Sequence, residues 1–139
     1  MNTGVMFSSK TDQWATPQKF FDQWNSKYEF TLDVCADASN AKCANYFTEE
    51  QDGLKQEWTG RCWMNPPYGR SIDKWVRKAY YESQKDNCLV VALLPARTDT
   101  KWFHEYILHK AQVIFVKGRL KFGDSKNSAP FPSMVVVFG

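Results

Sequence analysis

From Cys88 to Leu94 the chain runs Cys-Leu-Val-Val-Ala-Leu-Leu without a polar residue, and Pro95 closes the run. Such a continuous apolar run is expected of a strand buried on both faces, inside a sheet with layers packed above and below it. The surrounding sequence supplies those layers. Thr16-Pro17 reads as a helix start, with Thr16 as N-cap and Pro17 at the first helical position. Phe20, Phe21, Trp24 and Tyr28 then follow at helical spacing. Phe30 to Cys35 reads as a strand ending in the polar, small-residue stretch Asp37 to Asn40. Tyr46-Phe47 reads as a short strand and Asp52-Gly53 as a turn. Arg61 to Met64 is a short apolar strand that runs straight into Asn65-Pro66-Pro67-Tyr68, whose prolines end it.

A helix is predicted from about Ser71 to Gln84, with Ile72, Trp75, Val76, Ala79 and Tyr80 on one face. Another starts near Thr98 or Asp99 and buries Trp102, Phe103, Tyr106 and Ile107. Val113 to Val116 is a strand, Arg119 to Phe122 a candidate partner for it across Lys117-Gly118, and Met134 to Phe138 the last strand. Alternating strands and helices indicate an α/β sheet. The last two strands are separated by a loop and not a helix, so the expected fold is a compact Rossmann-like sheet, mostly parallel with an antiparallel edge strand.

The chain has 139 residues, with 43% hydrophobic and 16% aromatic content. That is the length of one domain and enough apolar material for a core. The expected organisation is a flexible arm over residues 1–13 and a single domain over 14–139, with no room for a separate recognition domain. A net charge of +3 permits contact with nucleic acid without demanding it. Cys35, Cys43, Cys62 and Cys88 include no Cys-x-x-Cys pair, and His104 and His109 are far from them in sequence, so no metal site is expected. No signal peptide or membrane-length apolar stretch is visible, and a reducing, cytoplasmic setting without membrane attachment is the expectation.

The strongest chemical signal is the tetrapeptide Asn65-Pro66-Pro67-Tyr68. Ligands of open α/β sheets bind outside the carboxyl ends of the strands, and the tetrapeptide stands at such an end. Its prolines fix the backbone, so neighbouring carbonyls can be aimed at a substrate with little ordering cost. Methylating an exocyclic amine calls for this kind of arrangement, because the adenine nitrogen's lone pair is delocalised into the ring. Two acceptors, the Asn65 side-chain oxygen and the Pro66 carbonyl, would draw that nitrogen toward a tetrahedral shape and stabilise the charge that develops on it. Tyr68 would stack on the base, a contact that contributes roughly 1–3 kcal/mol. The alternative is an ordinary turn that closes a strand, since all four residue types are compatible with one.

The chain resembles the short phage-type DNA N6-adenine methyltransferases, the Dam family of phage methylases. The resemblance runs from about Asp12 to Phe138 and rests on ordered segments: Asp12 to Pro17, Leu32 to Ala36, Asp52 to Leu54, Asn65 to Tyr68, Leu93 to Thr98, Gly118 to Phe122 and Ala129 to Ser133. It implies S-adenosylmethionine as cofactor and DNA as partner, within the Rossmann-like S-adenosylmethionine-dependent methyltransferase fold. It assigns Trp14, Ala15, Thr16 and Pro17 to the cofactor's methionine end, with helix-start N–H groups suited to a carboxylate. Asp33 would face the cofactor's ammonium, with Ala36 beside it, and Asp52 the adenosine half. Each has a plain alternative as a cap or turn residue.

Two departures from the pattern stand out. The loop Ala36-Asp37-Ala38-Ser39-Asn40 has no glycine, although close backbone approach to a cofactor usually uses one. Only about thirty residues separate Asp33 from Asn65, so a helix–strand unit of the usual fold is expected to be shortened or missing. Readout of DNA sequence would then fall to the loop from Gly123 to Pro132, to the arm, or to the second subunit of a homodimer. Arg70, Arg97, Arg119, Lys121 and Lys126 are candidates for phosphate contacts, or else ordinary solvated charges. Methylation of RNA adenine or of a protein glutamine amide, and a catalytically inactive DNA-binding module, stay open as alternatives.

Overall fold

The computed structural model describes residues 14–123 and 127–139. The expected arm over residues 1–13, and Lys126, lie outside the described residues. The elements are α1 (Gln18–Tyr28), β1 (Leu32–Asp33), a 3-10 turn (Gly53–Lys55), β2 (Gly60–Met64), α2 (Ile72–Glu82), β3 (Cys88–Pro95), α3 (Lys101–Tyr106), β4 (Gln112–Phe115) and β5 (Ser133–Phe138). Among the described residues no helix is long and apolar enough to cross a membrane.

The five strands form one sheet in the order β1-β2-β3-β5-β4. β1 and β2 are parallel, as are β2 and β3, while β5 runs antiparallel to both of its neighbours. The sheet is therefore mixed and not mostly parallel. The antiparallel strand is not at the edge either. β5 is inserted between β3 and β4, with all six of its residues buried, and β4 forms the edge. The physical reason is visible in Met134 to Phe138: a wholly apolar strand gains most in the middle of a sheet covered on both faces. Arg119 to Phe122 forms no strand, and Val113 pairs instead with Val136 of β5.

The central run behaves as its composition demands. Val90 to Leu94 have essentially no exposure. α1 covers one side of β2, where Phe21 meets the Trp63 ring edge-on at 5.2 Å. α2 buries Ile72, Trp75, Val76 and Ala79 and packs against β3, α3 and the 3-10 turn. The chain enters α1 differently from the expected capping pattern. Pro17, with φ −58° and ψ 134°, occupies the N-cap position, and the helix starts at Gln18 without a side-chain cap. Thr16 lies one residue outside the helix, buried and free to bond elsewhere.

The crossover from β1 to β2, residues 34–59, contains no α-helix, only the 3-10 turn. The short strand β1 is braced on its open side by residues 45–47. Asp33 N–H donates to the Asn45 carbonyl at 3.0 Å, Phe47 N–H to the Asp33 carbonyl at 3.0 Å, and Ala36 N–H to the Phe47 carbonyl at 3.0 Å. Tyr46 forms a single parallel bridge to Asp33 rather than a strand of its own.

Candidate active site

At the carboxyl ends of β1 and β2 the chain encloses a cavity of about 340 Å³. Three stretches distant in sequence meet there: Trp14 to Thr16, the crossover between Asp33 and Leu54, and Asn65 to Pro67. Its size is that of a small-molecule site. Trp14, Ala15, Thr16, Asp33, Ala36 and Asp52 all line it, together with Asn65, Pro66 and Pro67. Pro17 and Tyr68 are not part of the lining.

Asp33 ends β1 with only 3% of its surface exposed. Cys35 N–H donates to its Oδ1 at 3.2 Å and Lys42 N–H to its Oδ2 at 3.0 Å. Burial pushes the carboxyl up to about 6, outweighing the two backbone donors and the Lys42 charge, which pull it down. Asp52 holds a left-handed backbone at φ 55° and accepts from Leu54 N–H at 3.1 Å. A non-glycine residue held there at the cavity wall is unusual and typical of ligand-facing turns. Asp37 and Glu49 join the lining, so among the described residues four acidic residues and one basic residue, Lys42, border the cavity, and the Lys42 ammonium donates to Gln18 Oε1 at 2.9 Å.

No glycine follows β1, but one is found across the cavity wall from it. Gly53 stands against the Val34 carbonyl so tightly that a Cβ there would lie 2.2 Å from the carbonyl oxygen. It also lies under the Trp75 ring, and its own carbonyl accepts from Trp58 Nε1 at 2.9 Å. Asp37, Lys42, Glu49 and Gly53 are among the cavity residues that sequence reasoning did not assign to the site. The Asp-Gly pair was legible as a turn, yet nothing local tells that the turn folds back onto Val34.

Asn65 follows the last residue of β2. Its Nδ2 donates to the Trp14 carbonyl and, at 2.9 Å, to Thr16 Oγ1. Its Oδ1 is buried and has no hydrogen-bond partner among the described residues. A buried acceptor left open costs about 1–3 kcal/mol, and such orphans are uncommon enough in folded proteins to need an explanation.

Tyr68 is arranged otherwise than expected. Its ring is 5% exposed, its hydroxyl donates to the Leu93 carbonyl at 2.8 Å, and burial holds the phenol well above its usual range. Phe131 and Phe122 pack edge-on against it at 5.5 Å and 6.2 Å. The expectation of an open stacking face is therefore corrected: a base could stack on Tyr68 only after these rings withdraw.

Among the basic candidates, Arg97 comes nearest this cluster, with its guanidinium 5.8 Å from the centre of the Phe131 ring. Arg70, Arg119 and Lys121 are exposed. Arg70 follows the tetrapeptide by two residues, whereas Arg119 and Lys121 lie on the extended segment leading to Phe122.

An α/β sheet with an acid-lined cavity at its strand ends, bordered by Asn65, Pro66 and Pro67, is consistent with a methyltransferase fold. The pattern of the family described as DNA N-6-adenine-methyltransferase (Dam) matches residues 4–138, and the chain belongs to that family. The DNA N-6-adenine-methyltransferase of Haemophilus phage HP1 (strain HP1c1) is 34% identical over 139 residues, covering 94% of this chain and 80% of that protein. The DNA N-6-adenine-methyltransferase of Escherichia phage T1 is 33% identical over 112 residues, covering 78% of this chain and 46% of that protein. The resemblance read from the sequence is borne out.

Proposed function

We propose that this protein transfers a methyl group from S-adenosylmethionine to the exocyclic N6 of adenine in DNA, with Asn65 and Pro66 as the groups that receive the amine. One observation carries the reading. At a strand end on the cavity rim stands a side-chain oxygen whose amide is already oriented and whose acceptor capacity is unused. An incoming N–H donor would satisfy it.

The lining fits the cofactor. S-adenosylmethionine carries a sulfonium and an ammonium, and among the described lining residues four are acidic, Asp33, Asp37, Glu49 and Asp52, and one is basic, Lys42. Asp33 would accept from the ammonium, and Asp52 or Glu49 from hydroxyls of the adenosine half. Trp14, Ala15 and Ala36 would form the wall around the methionine end. When bound, the cofactor supplies the electrophilic methyl; the remaining work falls to side chains and backbone of this chain. Asn65 Oδ1 and the Pro66 carbonyl accept hydrogen bonds from the two amine N–H groups, localise the nitrogen lone pair and stabilise the positive charge as it grows. Pro66 and Pro67 hold those acceptors rigid, which lowers the cost of alignment. Arg97, at the edge of the aromatic cluster, would meet a phosphate, with Arg70, Arg119 and Lys121 as further contacts along the strand.

Labelled S-adenosylmethionine and unmethylated DNA test this directly. Label is expected in N6-methyladenine, lost to DNase treatment and resistant to RNase and protease. Label that instead follows RNA or protein would refute the substrate. Asn65→Ala is expected to lower transfer by at least about a hundredfold, as removal of an oriented catalytic acceptor does, while calorimetric binding of the cofactor is retained. Full transfer in that variant would overturn the role of Asn65. Failure of the wild-type protein to bind S-adenosylmethionine would favour an inactive module of the same fold.

A further inference from the structure

Asn65 is gripped by a segment almost fifty residues away. Both of its N–H donors are in use, one on the Trp14 carbonyl and the other on Thr16 Oγ1 at 2.9 Å. The two ends of the amide are not interchangeable here. Turned over, Oδ1 would face the Trp14 carbonyl, two acceptors with no proton between them. The Thr16 hydroxyl could serve either end, but a backbone carbonyl serves only a donor. The Trp14 carbonyl therefore sets the orientation and Thr16 completes it.

The gripping segment is itself fixed. Thr16 is 5% exposed. The Ala15 carbonyl accepts from Gly123 N–H at 2.8 Å. The Trp14 ring is held edge-on by Phe122 at 5.6 Å and Phe131 at 5.2 Å. Helix α1 starts two residues after Thr16 and anchors the far side.

We propose that Trp14 to Thr16 form a positioning strap for Asn65, which fixes the amide so that Oδ1 is the end kept open for the substrate amine. This deepens the function proposed above and rests on it. Thr16 is then a positioning residue, assigned until now only to the cofactor. The strap also makes position 65 selective for asparagine. An aspartate there would have no proton for the Trp14 carbonyl and would set its charge against that oxygen.

Thr16→Val keeps the side-chain shape and removes the hydroxyl, whereas Thr16→Ser keeps the hydroxyl. In Thr16→Val, kcat is expected to fall about five- to tenfold, the effect of one lost hydrogen bond, while KM for S-adenosylmethionine stays within about twofold. Thr16→Ser restores kcat, and Asn65→Asp loses more than Thr16→Val. An unchanged kcat in Thr16→Val, or a raised KM for the cofactor with kcat intact, overturns the strap.

A second readout needs no methyl transfer. With asparagine selectively labelled with ¹⁵N, the side-chain amide resonance that vanishes in Asn65→Ala belongs to Asn65. Its protons are expected to exchange slowly with solvent in the wild type and about fivefold or more faster in Thr16→Val, in step with one lost bond. Fast exchange in the wild type, or no change in the variant, overturns the strap whatever the activity. Slow exchange in a wild-type protein that transfers no methyl refutes the proposed function and leaves the strap standing.

Discussion

Asp33 receives two backbone N–H donors and has Lys42 close by, yet burial wins and its carboxyl titrates at about 6 instead of 3.8. The folded state thus holds this proton more tightly than the unfolded chain does. The sign follows by linkage: the contribution to stability is complete below about pH 4 and is lost as pH rises through about 6. Two pH units correspond to about 3 kcal/mol at most. Above that range the cofactor-free protein carries a buried carboxylate that a bound ammonium would relieve. Affinity for S-adenosylmethionine is therefore expected to be constant above about pH 7 and to weaken by up to about tenfold per unit below pH 6. Calorimetry across that range in the wild type and in Asp33→Asn checks this. The variant should bind weakly with no step, and a flat wild-type profile would remove Asp33 from the cofactor site.

At the scale of elements, the crossover over residues 34–59 lacks a helix, in line with the short spacing from Asp33 to Asn65, and has a 3-10 turn fastened by aromatic rings. Gly53 is its tightest point, between the Val34 carbonyl and Trp75. Gly53→Ala forces the turn away from β1 and is expected to cost about 1–3 kcal/mol of stability, as overpacking does, together with a measurable loss of cofactor affinity. Thermal unfolding and calorimetry on the same variant read the two effects, and wild-type values for both would show that the contact can relax.

The contrast with what the sequence revealed is instructive at this scale. The 3.6-residue spacing of Phe21, Ile72, Trp75, Val76 and Ala79 specified helices and their buried faces, because periodicity is a local property. The absence of glycine after β1 was equally legible, but the place of Gly53 was not. Gly53 meets Val34 only through tertiary folding, and no local signal encodes that meeting. Thr16-Pro17 misled for a related reason. Local capping preference yielded to the bond that Thr16 makes with Asn65, 49 residues on.

For the molecule as a whole, strand identity could be read but strand order could not. Cys88 to Pro95 and Ser133 to Phe138 announce buried strands by composition, and their antiparallel pairing from Val90↔Phe138 to Pro95↔Ser133 is set by packing across the sheet. That pairing has a consequence for how the protein comes into being. Every described residue that lines the cavity lies between Trp14 and Trp75, yet β3 and β4 lack their common neighbour until residues 133–138 have been made. A chain under synthesis must therefore hold two unpaired strand edges open while it waits, the condition that exposes a nascent chain to aggregation. A chain ending at residue 131 contains all the described lining of the cavity and is expected neither to fold cooperatively nor to bind S-adenosylmethionine, as circular dichroism and calorimetry can check. Binding by that fragment would show that the cavity half folds by itself. If it does not, capacity to hold the methyl donor arises only once residues 133–138 are in place, and shorter products of the ribosome cannot sequester it.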